Sequence, residues 1–236
     1  MWQIPNLGIN EWRTRRGRGR PENRDAGGVY VSTDKVVAII VDGTVSGSHG
    51  GAYANHWVAK VITIAHQLDS LAPNDFIAAM RLAHKELHNG VYVLETAAYA
   101  VLALNRAACS AWAINCGDCR VGQITATNEG RWLTPVHTAA NALGECFSRE
   151  HAVMDARHIL TRRLRAQRFD IPEVTWLDWN DAGPWVLATD GYWIDHLLLN
   201  RQLDDLEDDA SVLSLGLPLT HITQHTDCSN FLTTFV

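Results

Sequence analysis

No window of the 236-residue sequence approaches the ~18 consecutive apolar residues that a membrane-spanning helix needs. The opening residues, MWQIPNLGIN, lack the charged and apolar regions of a secretion signal. Both absences predict a cytoplasmic protein. Cysteine is scarce as well: there are five, an odd number, without the spacing of a disulfide scaffold, which fits a reducing compartment. Cys116 and Cys119 form a lone C-x-x-C with no second pair to complete a zinc site, so two half-buried thiols on a turn are expected. No repeat, low-complexity segment or long Pro/Gly/Ser linker divides the chain, and its length fits one domain over residues 1–236. A surplus of positive charge is missing too. The formal charge of -6 argues against electrostatic capture of nucleic acid, although the run Trp12 to Arg20, WRTRRGRGR, is locally basic and either solvated or able to meet a phosphate-bearing partner.

Phosphate-binding signatures are absent where glycine invites them. The stretch VDGTVSGSHGGAYA (Val41 to Ala54) supplies Gly43 and Gly47, but no lysine follows at the place a P-loop requires, and no G-x-G-x-x-G is present. The cysteines also lack the C-x5-R loop of thiol phosphatases.

What is there reads as strands interleaved with helix pairs. Gly28–Ser32 and Val36–Val41 are β-rich and separated by Thr33-Asp34-Lys35, which predicts a hairpin. Ala52–Leu68 carries Trp57, Val61, Ile64 and Leu68 at helical spacing. A second helix is expected with Asn74 as its cap and Phe76, Met80, Ala83 and Leu87 as its stripe. Thr96–Leu104, Cys109–Asn115, Arg120–Thr125 and Arg131–Thr134 read as an antiparallel meander. Arg149–Arg168 reads as charged helix, Trp185–Thr189 and Ser211–Leu215 as strands, and His221–Val236 as the source of one last strand. The order predicts an α+β fold, with sheet packed on sheet and helices outside.

Acids recur at the ends of these strands. Asp25, Asp42, Asp118, Asp190 and Asp208 all flank apolar runs, and Asp42 and Asp190 stand in Asp-Gly pairs. An Asp-Gly pair alone is a turn. If the sheets gather these ends, however, the carboxylates cannot stay ionised side by side without cations, and clustered oxygen donors suit Mg2+ or Mn2+ rather than zinc. Two such ions sharing a carboxylate and a water favour in-line attack on phosphorus.

In this order the motifs resemble the metal-dependent protein serine/threonine phosphatases of type 2C, the PPM family, as a compact bacterial-like member. RPENRDA (Arg20 to Ala26) resembles the family's opening arginine-and-acid motif and VDG (Val41 to Gly43) its central Asp-Gly. ETAAYAVL (Glu95 to Leu102), INCGDCRVG (Ile114 to Gly122) and LTPVHTAAN (Leu133 to Asn141) resemble its middle segments, and LATDGYW and DDASVL its two late acidic motifs. The resemblance implies a four-layer α-β-β-α sandwich of two antiparallel β-sheets flanked by helices, with two Mn2+ or Mg2+ ions at one end. It implies that Asp42 bridges both ions, that the Gly43 carbonyl completes one sphere, and that Asp190 and Asp208 hold the other ion. Asp25 would act through metal-bound water, Arg20 would clamp the substrate phosphate, and Asp118 would be a turn residue or an acid beside the metals, including a third one. His137 is expected to be structural.

Several positions depart from the pattern. Arg24 replaces an acid or amide, Thr44 stands where some members place a histidine general acid, which leaves a metal-bound water or another group such as His49 as the proton source, and Ile194 replaces a further acid although Asp195 is adjacent. Glu95 replaces a glycine. The implied activity is hydrolysis of phosphoserine or phosphothreonine in proteins by a metal-activated water. The partners implied are phosphorylated substrates of a cognate serine/threonine kinase, with no nucleic acid and no membrane, acted on by a monomer. The alternative is a relative that has lost turnover and binds phosphoproteins as a regulatory module.

Overall fold

The apolar run Val36 to Val41 is buried on both of its faces, and the fold is organised around it. In the computed structural model, residues 2–3, 8–44, 47–88, 90–124, 129–144, 146–179 and 184–236 are described. The chain opens with β1 (Trp2–Gln3) and β2 (Glu11–Arg15), then the hairpin β3 (Asp25–Val31) and β4 (Lys35–Gly43). Helices α1 (Gly50–Gln67) and α2 (Pro73–His84) follow. Next come β5 (Thr96–Asn105), β6 (Ser110–Cys116), β7 (Arg120–Ile124) and β8 (Glu129–Trp132). After the one-turn helix α3 (Arg149–Ala152) lie β9 (Leu164–Arg165), β10 (Arg168–Phe169), β11 (Glu173–Leu177) and β12 (Trp185–Ala188). A π-type helix, Gly191–Leu198, precedes β13 (Ala210–Leu215), β14 (Thr223–His225) and β15 (Phe231–Phe235).

The strands form two sheets. One is seven-stranded, in the order β1-β8-β7-β12-β13-β2-β14; the other is eight-stranded, with β10-β9-β5-β4-β3-β15 in line and β6 and β11 continuing from β5. Pairing is antiparallel except at two edges, where β14 runs parallel to β2 and β15 parallel to β3. Each sheet is therefore mixed rather than purely antiparallel. Along β4 successive side chains alternate between faces. Val37, Ile39 and Val41 pack against Trp57, Val61, Phe76 and Met80 of the helices. Val36, Ala38 and Ile40 meet Trp12, Val121, Leu187 and Leu213 of the other sheet. On the far side of the seven-stranded sheet, Val186, Ala188 and Val212 pack on Tyr192, Trp193 and Ile194 of the π-type helix. Three apolar layers thus separate four layers of structure, as expected.

Four local expectations change. The second helix begins at Pro73 with Ala72 as its cap, so Asn74 lies in the first turn; proline's fixed φ suits that position. The meander breaks, because β6 belongs to one sheet and β7 to the other, and Gly117-Asp118-Cys119 crosses between them. Cys116 and Cys119 are consequently fully buried, one in each core, and all described cysteines are free thiols. Arg149–Arg168 is not a helix but α3, a 3-10 turn at Asp155–His158 and two short strands; Arg165 and Arg168 pair with Asp170 rather than along a helix face. The C-terminal segment supplies two strands, and Asn230 between them is buried: its Nδ2 donates to the Asp25 carbonyl at 2.9 Å while its Oδ1 accepts from Trp12 Nε1. Among the described residues, no helix is long and apolar enough to cross a membrane. Thr125, and Val45 and Ser46 of the glycine-rich stretch, lie outside the described residues.

Candidate active site

The strand parity that fills the core also aims the acids. Asp42 continues the face of Val36, Ala38 and Ile40, so it leaves β4 between the two sheets at one end of the sandwich. Asp25 is its register partner on β3. From the seven-stranded sheet, Asp190 follows β12 and Asp208 precedes β13, whose strands are hydrogen-bonded neighbours. Asp118 sits on the crossing between the sheets. A cavity of about 300 Å³ is lined by Arg20, Asp42, Gly43, Asp118, Asp190 and Asp208, joined by Thr44, Ala98, His158 and Leu160. Asp25 lies behind this wall, fully buried, with its Oδ2 accepting from Thr189 Oγ1 at 3.0 Å. All seven site positions expected from the sequence therefore meet at one end of the molecule.

Both Asp-Gly glycines are sites of close approach. A Cβ on Gly43 would stand 2.8 Å from the Gly50 carbonyl oxygen, where α1 begins, and one on Gly191 would stand 2.0 Å from the Asp209 carbonyl oxygen. Side chains there would push apart the segments that hold the acids. Asp118 is fixed from its backbone, whose carbonyl accepts from Trp193 Nε1 at 2.8 Å. Arg120 lies over that indole at 5.0 Å from its centroid.

The electrostatics are those of acids forced together. Burial, then Asp25, Asp190, Asp208 and Asp118, raise the Asp42 carboxyl well above the carboxylate range. Burial and then Asp209 do the same to Asp25. Burial, Asp118 and Asp208 raise Asp190 against the opposing pull of Arg157. Asp118 is raised to about 7, chiefly by burial. Two arginines answer part of this charge. Arg20 donates from its terminal nitrogen to Asp208 Oδ1 at 2.6 Å, and Arg157 places a terminal nitrogen 4.0 Å from Asp190 Oδ2.

Hard oxygen donors dominate the cavity, and Asp25 Oδ1 and Asp190 Oδ1 are buried without a hydrogen-bond partner. That is the donor chemistry a hard divalent cation takes. As the side chains stand, no group of three or more His, Cys, Asp or Glu is arranged to hold a metal ion among the described residues. Asp208 Oδ1 is taken up by Arg20, whereas the Arg157 nitrogen 4.0 Å from Asp190 makes no hydrogen bond to it.

Other expected positions find different work. His49 caps α1 from an exposed position and does not line the cavity; its backbone N–H donates to Glu95 Oε1 at 2.7 Å. That bond gives Glu95 a role, since it pins the loop before α1 to the start of β5. Arg24 turns from the cavity to bind the Thr44 carbonyl at 2.8 Å and the Gly47 carbonyl at 3.2 Å. Asp195 is buried and tied to Arg157 and Arg201, so it offers nothing to the cavity. Asp209 accepts from the backbone of Gly17 and Arg24 and ties the arginine motif to β13. His137 is structural: its Nδ1 accepts from the Gly117 N–H at 3.3 Å and its Nε2 lies 3.1 Å from Glu173. Sequence reading missed Arg157 and His158, which lie in the stretch read as charged helix. Arg157 Nε donates to His158 Nε2 at 3.1 Å.

No family model matches the chain, and no curated protein matches it by sequence. Solved structures do match. The chain is similar to the serine/threonine phosphatase Stp1 from Staphylococcus aureus at 15% identity and a TM-score of 0.69, over 92% of this chain and 100% of that one. It is similar to the PPM Ser-Thr phosphatase MsPP from Mycobacterium smegmatis at 16% identity and a TM-score of 0.68, over 89% of this chain and 100% of that one. The Mycobacterium tuberculosis serine/threonine phosphatase PstP/Ppp matches at 20% identity and a TM-score of 0.64, over 87% of this chain and 97% of that one. At these identities the likeness is one of architecture, and the chain has the fold of the bacterial PPM-type serine/threonine phosphatases.

Proposed function

We propose that the protein is a metal-dependent phosphatase that hydrolyses phosphoserine or phosphothreonine in protein substrates. The observation that carries this reading is one cavity on which Asp42, Asp118, Asp190, Asp208, the strand-end residue Gly43 and Arg20 converge. Asp42, Asp190, Asp208 and the Gly43 carbonyl would hold two Mn2+ or Mg2+ ions, with Asp25 and Asp118 beside them. Once bound, the ions supply Lewis-acid polarisation of the phosphoryl oxygens and lower the pKa of water.

The chain's own groups do the rest. Arg20 would offer a planar fork to the phosphate, a reading supported by its present contact with the Asp208 carboxylate at 2.6 Å. Thr189 and the Asn230 amide hold Asp25 at its side chain and carbonyl, so the acid beside Asp42 stays in place. His158 reaches the cavity wall, and because its Nε2 accepts from Arg157 its neutral ring carries the proton on Nδ1. It, rather than His49, lines the cavity and would donate a proton to the leaving serine or threonine oxygen.

A second reading, a module that binds phosphoproteins without turnover, draws support from the arginines resting on Asp208 and Asp190. Hydrolysis of a phosphothreonine peptide in Mn2+ and in EDTA, with calorimetric titration of Mn2+, separates the two. Turnover that needs Mn2+ and vanishes in Asp42→Ala supports the enzyme. Turnover that survives EDTA sinks the mechanism, and no heat at millimolar Mn2+ favours the module.

A further inference from the structure

Five arginines lie between Trp12 and Arg20, and only Arg20 lines the acidic cavity. Arg13, Arg15, Arg16 and Arg18 line a neighbouring groove of about 900 Å³, together with His225 and Asp227. The alternation of β2 explains the arrangement: Trp12 and Thr14 point into the core while Arg13 and Arg15 stand on the outer face. The loop that follows carries Arg16 and Arg18 along the groove and Arg20 into the cavity. In a chain of formal charge -6 this gathers four arginines on one face, where Arg13 is held at 2.7 Å by the buried Glu11 and Asp227 stands in the groove wall.

The groove already holds carboxylates. Asp204 sits on Arg15, and Asp205 lies 3.8 Å from Arg18. These acids are 77% and 69% exposed, and ion pairs so open to water contribute little. An incoming phosphate or run of carboxylates therefore displaces them readily. The Arg20 N–H donates to the Gly17 carbonyl at 3.1 Å, so Gly17–Arg20 is a turn and Arg16 to Arg20 spans at most ~11 Å, about three residues of extended peptide.

We propose that the groove docks an acidic or phosphorylated stretch of the substrate protein lying about three residues from the phosphoresidue held by Arg20. The proposal rests on the phosphatase reading and adds to it a preference among substrates. It also gives the basic run a purpose that charge pairing with the chain's own acids does not exhaust.

The test uses two fluorescent phosphothreonine peptides that differ in having three glutamates or three glutamines beginning three residues from the phosphothreonine. Binding is read by anisotropy in EDTA, where turnover does not intrude. The glutamate peptide is expected to bind about tenfold tighter at low salt, with the advantage lost at high salt. It should also be lost in Arg15→Gln/Arg16→Gln/Arg18→Gln and reduced in Arg18→Glu, a single change at an exposed loop position. Turnover of p-nitrophenyl phosphate in Mn2+ should be unchanged by either variant. Equal binding of the two peptides, an advantage that survives both variants, or tighter binding of a single-stranded oligonucleotide than of the glutamate peptide overturns the proposal. Absent p-nitrophenyl phosphate turnover in the unaltered protein would instead count against the phosphatase reading, leaving the binding comparison intact.

Discussion

Asp25 and Asp42 face each other as register partners in the β3–β4 ladder, one fully buried and one at the cavity wall. With Asp118 and Asp190 they form a set whose carboxyls are all raised, Asp118 to about 7. An unfolded chain holds such groups near the ordinary value of about 3.9. Between the two values the folded state binds more protons, so stability falls as pH rises. Without divalent metal, the melting temperature is expected to decline from pH 5 to pH 8, and Mn2+ should flatten the decline. A melting temperature in EDTA that climbs over this range would contradict the arrangement of the acids.

Asp42→Asn removes the charge on which the other acids converge. In EDTA the variant should be more stable than the parent by about 1 kcal/mol, because mutual repulsion is relieved. Its Mn2+-dependent turnover should fall at least about a hundredfold. Urea unfolding and peptide hydrolysis check the two halves separately, and a variant that loses activity by losing stability would refute the explanation.

Gly191→Ala tests close approach. Its Cβ would lie 2.0 Å from the Asp209 carbonyl oxygen, so β13 or the π-type helix must move. The expected loss is about 3 kcal/mol of stability, read from the urea midpoint. A neutral result would mean that the Asp190–Asp208 spacing is not held by this contact.

Trp193→Phe keeps much of the packing and removes the donor to the Asp118 carbonyl. Leaving that carbonyl unpaired should destabilise the protein by about 1–3 kcal/mol. Calorimetry should show weaker Mn2+ binding as well, because Asp118 loses its anchor. Unchanged metal affinity would separate Asp118 from the metal site.

The acids were legible because both faces of β4, β5, β12 and β13 are buried, so apolar runs mark the strands and the polar residue at each end stands out. The sheet change at Gly117 was not legible, since a short turn between two strands looks the same whether it closes a hairpin or crosses a sandwich. Arg149–Arg168 misled for a different reason: its charges find partners in Asp170, Glu173, Asp190 and Asp195, distant or later positions that periodicity does not reveal. The parallel edge strand β14 is exposed at all three of its positions and carries no apolar signal. Arg157 and His158 were hidden by the same reading of their stretch as helix.

Asn230 and β15 carry a consequence for the birth of the protein. Asp25 leaves the ribosome 205 residues before the side chain that holds its carbonyl, and the neighbour that completes the edge of β3 extends to Phe235. A nascent chain can form the β3–β4 hairpin early, yet the pocket's innermost acid is fastened only after synthesis has passed both late acidic motifs. Partly made chains would therefore carry the acids without the assembled pocket, which would form as a step once Asn230 and β15 have been made rather than growing with chain length.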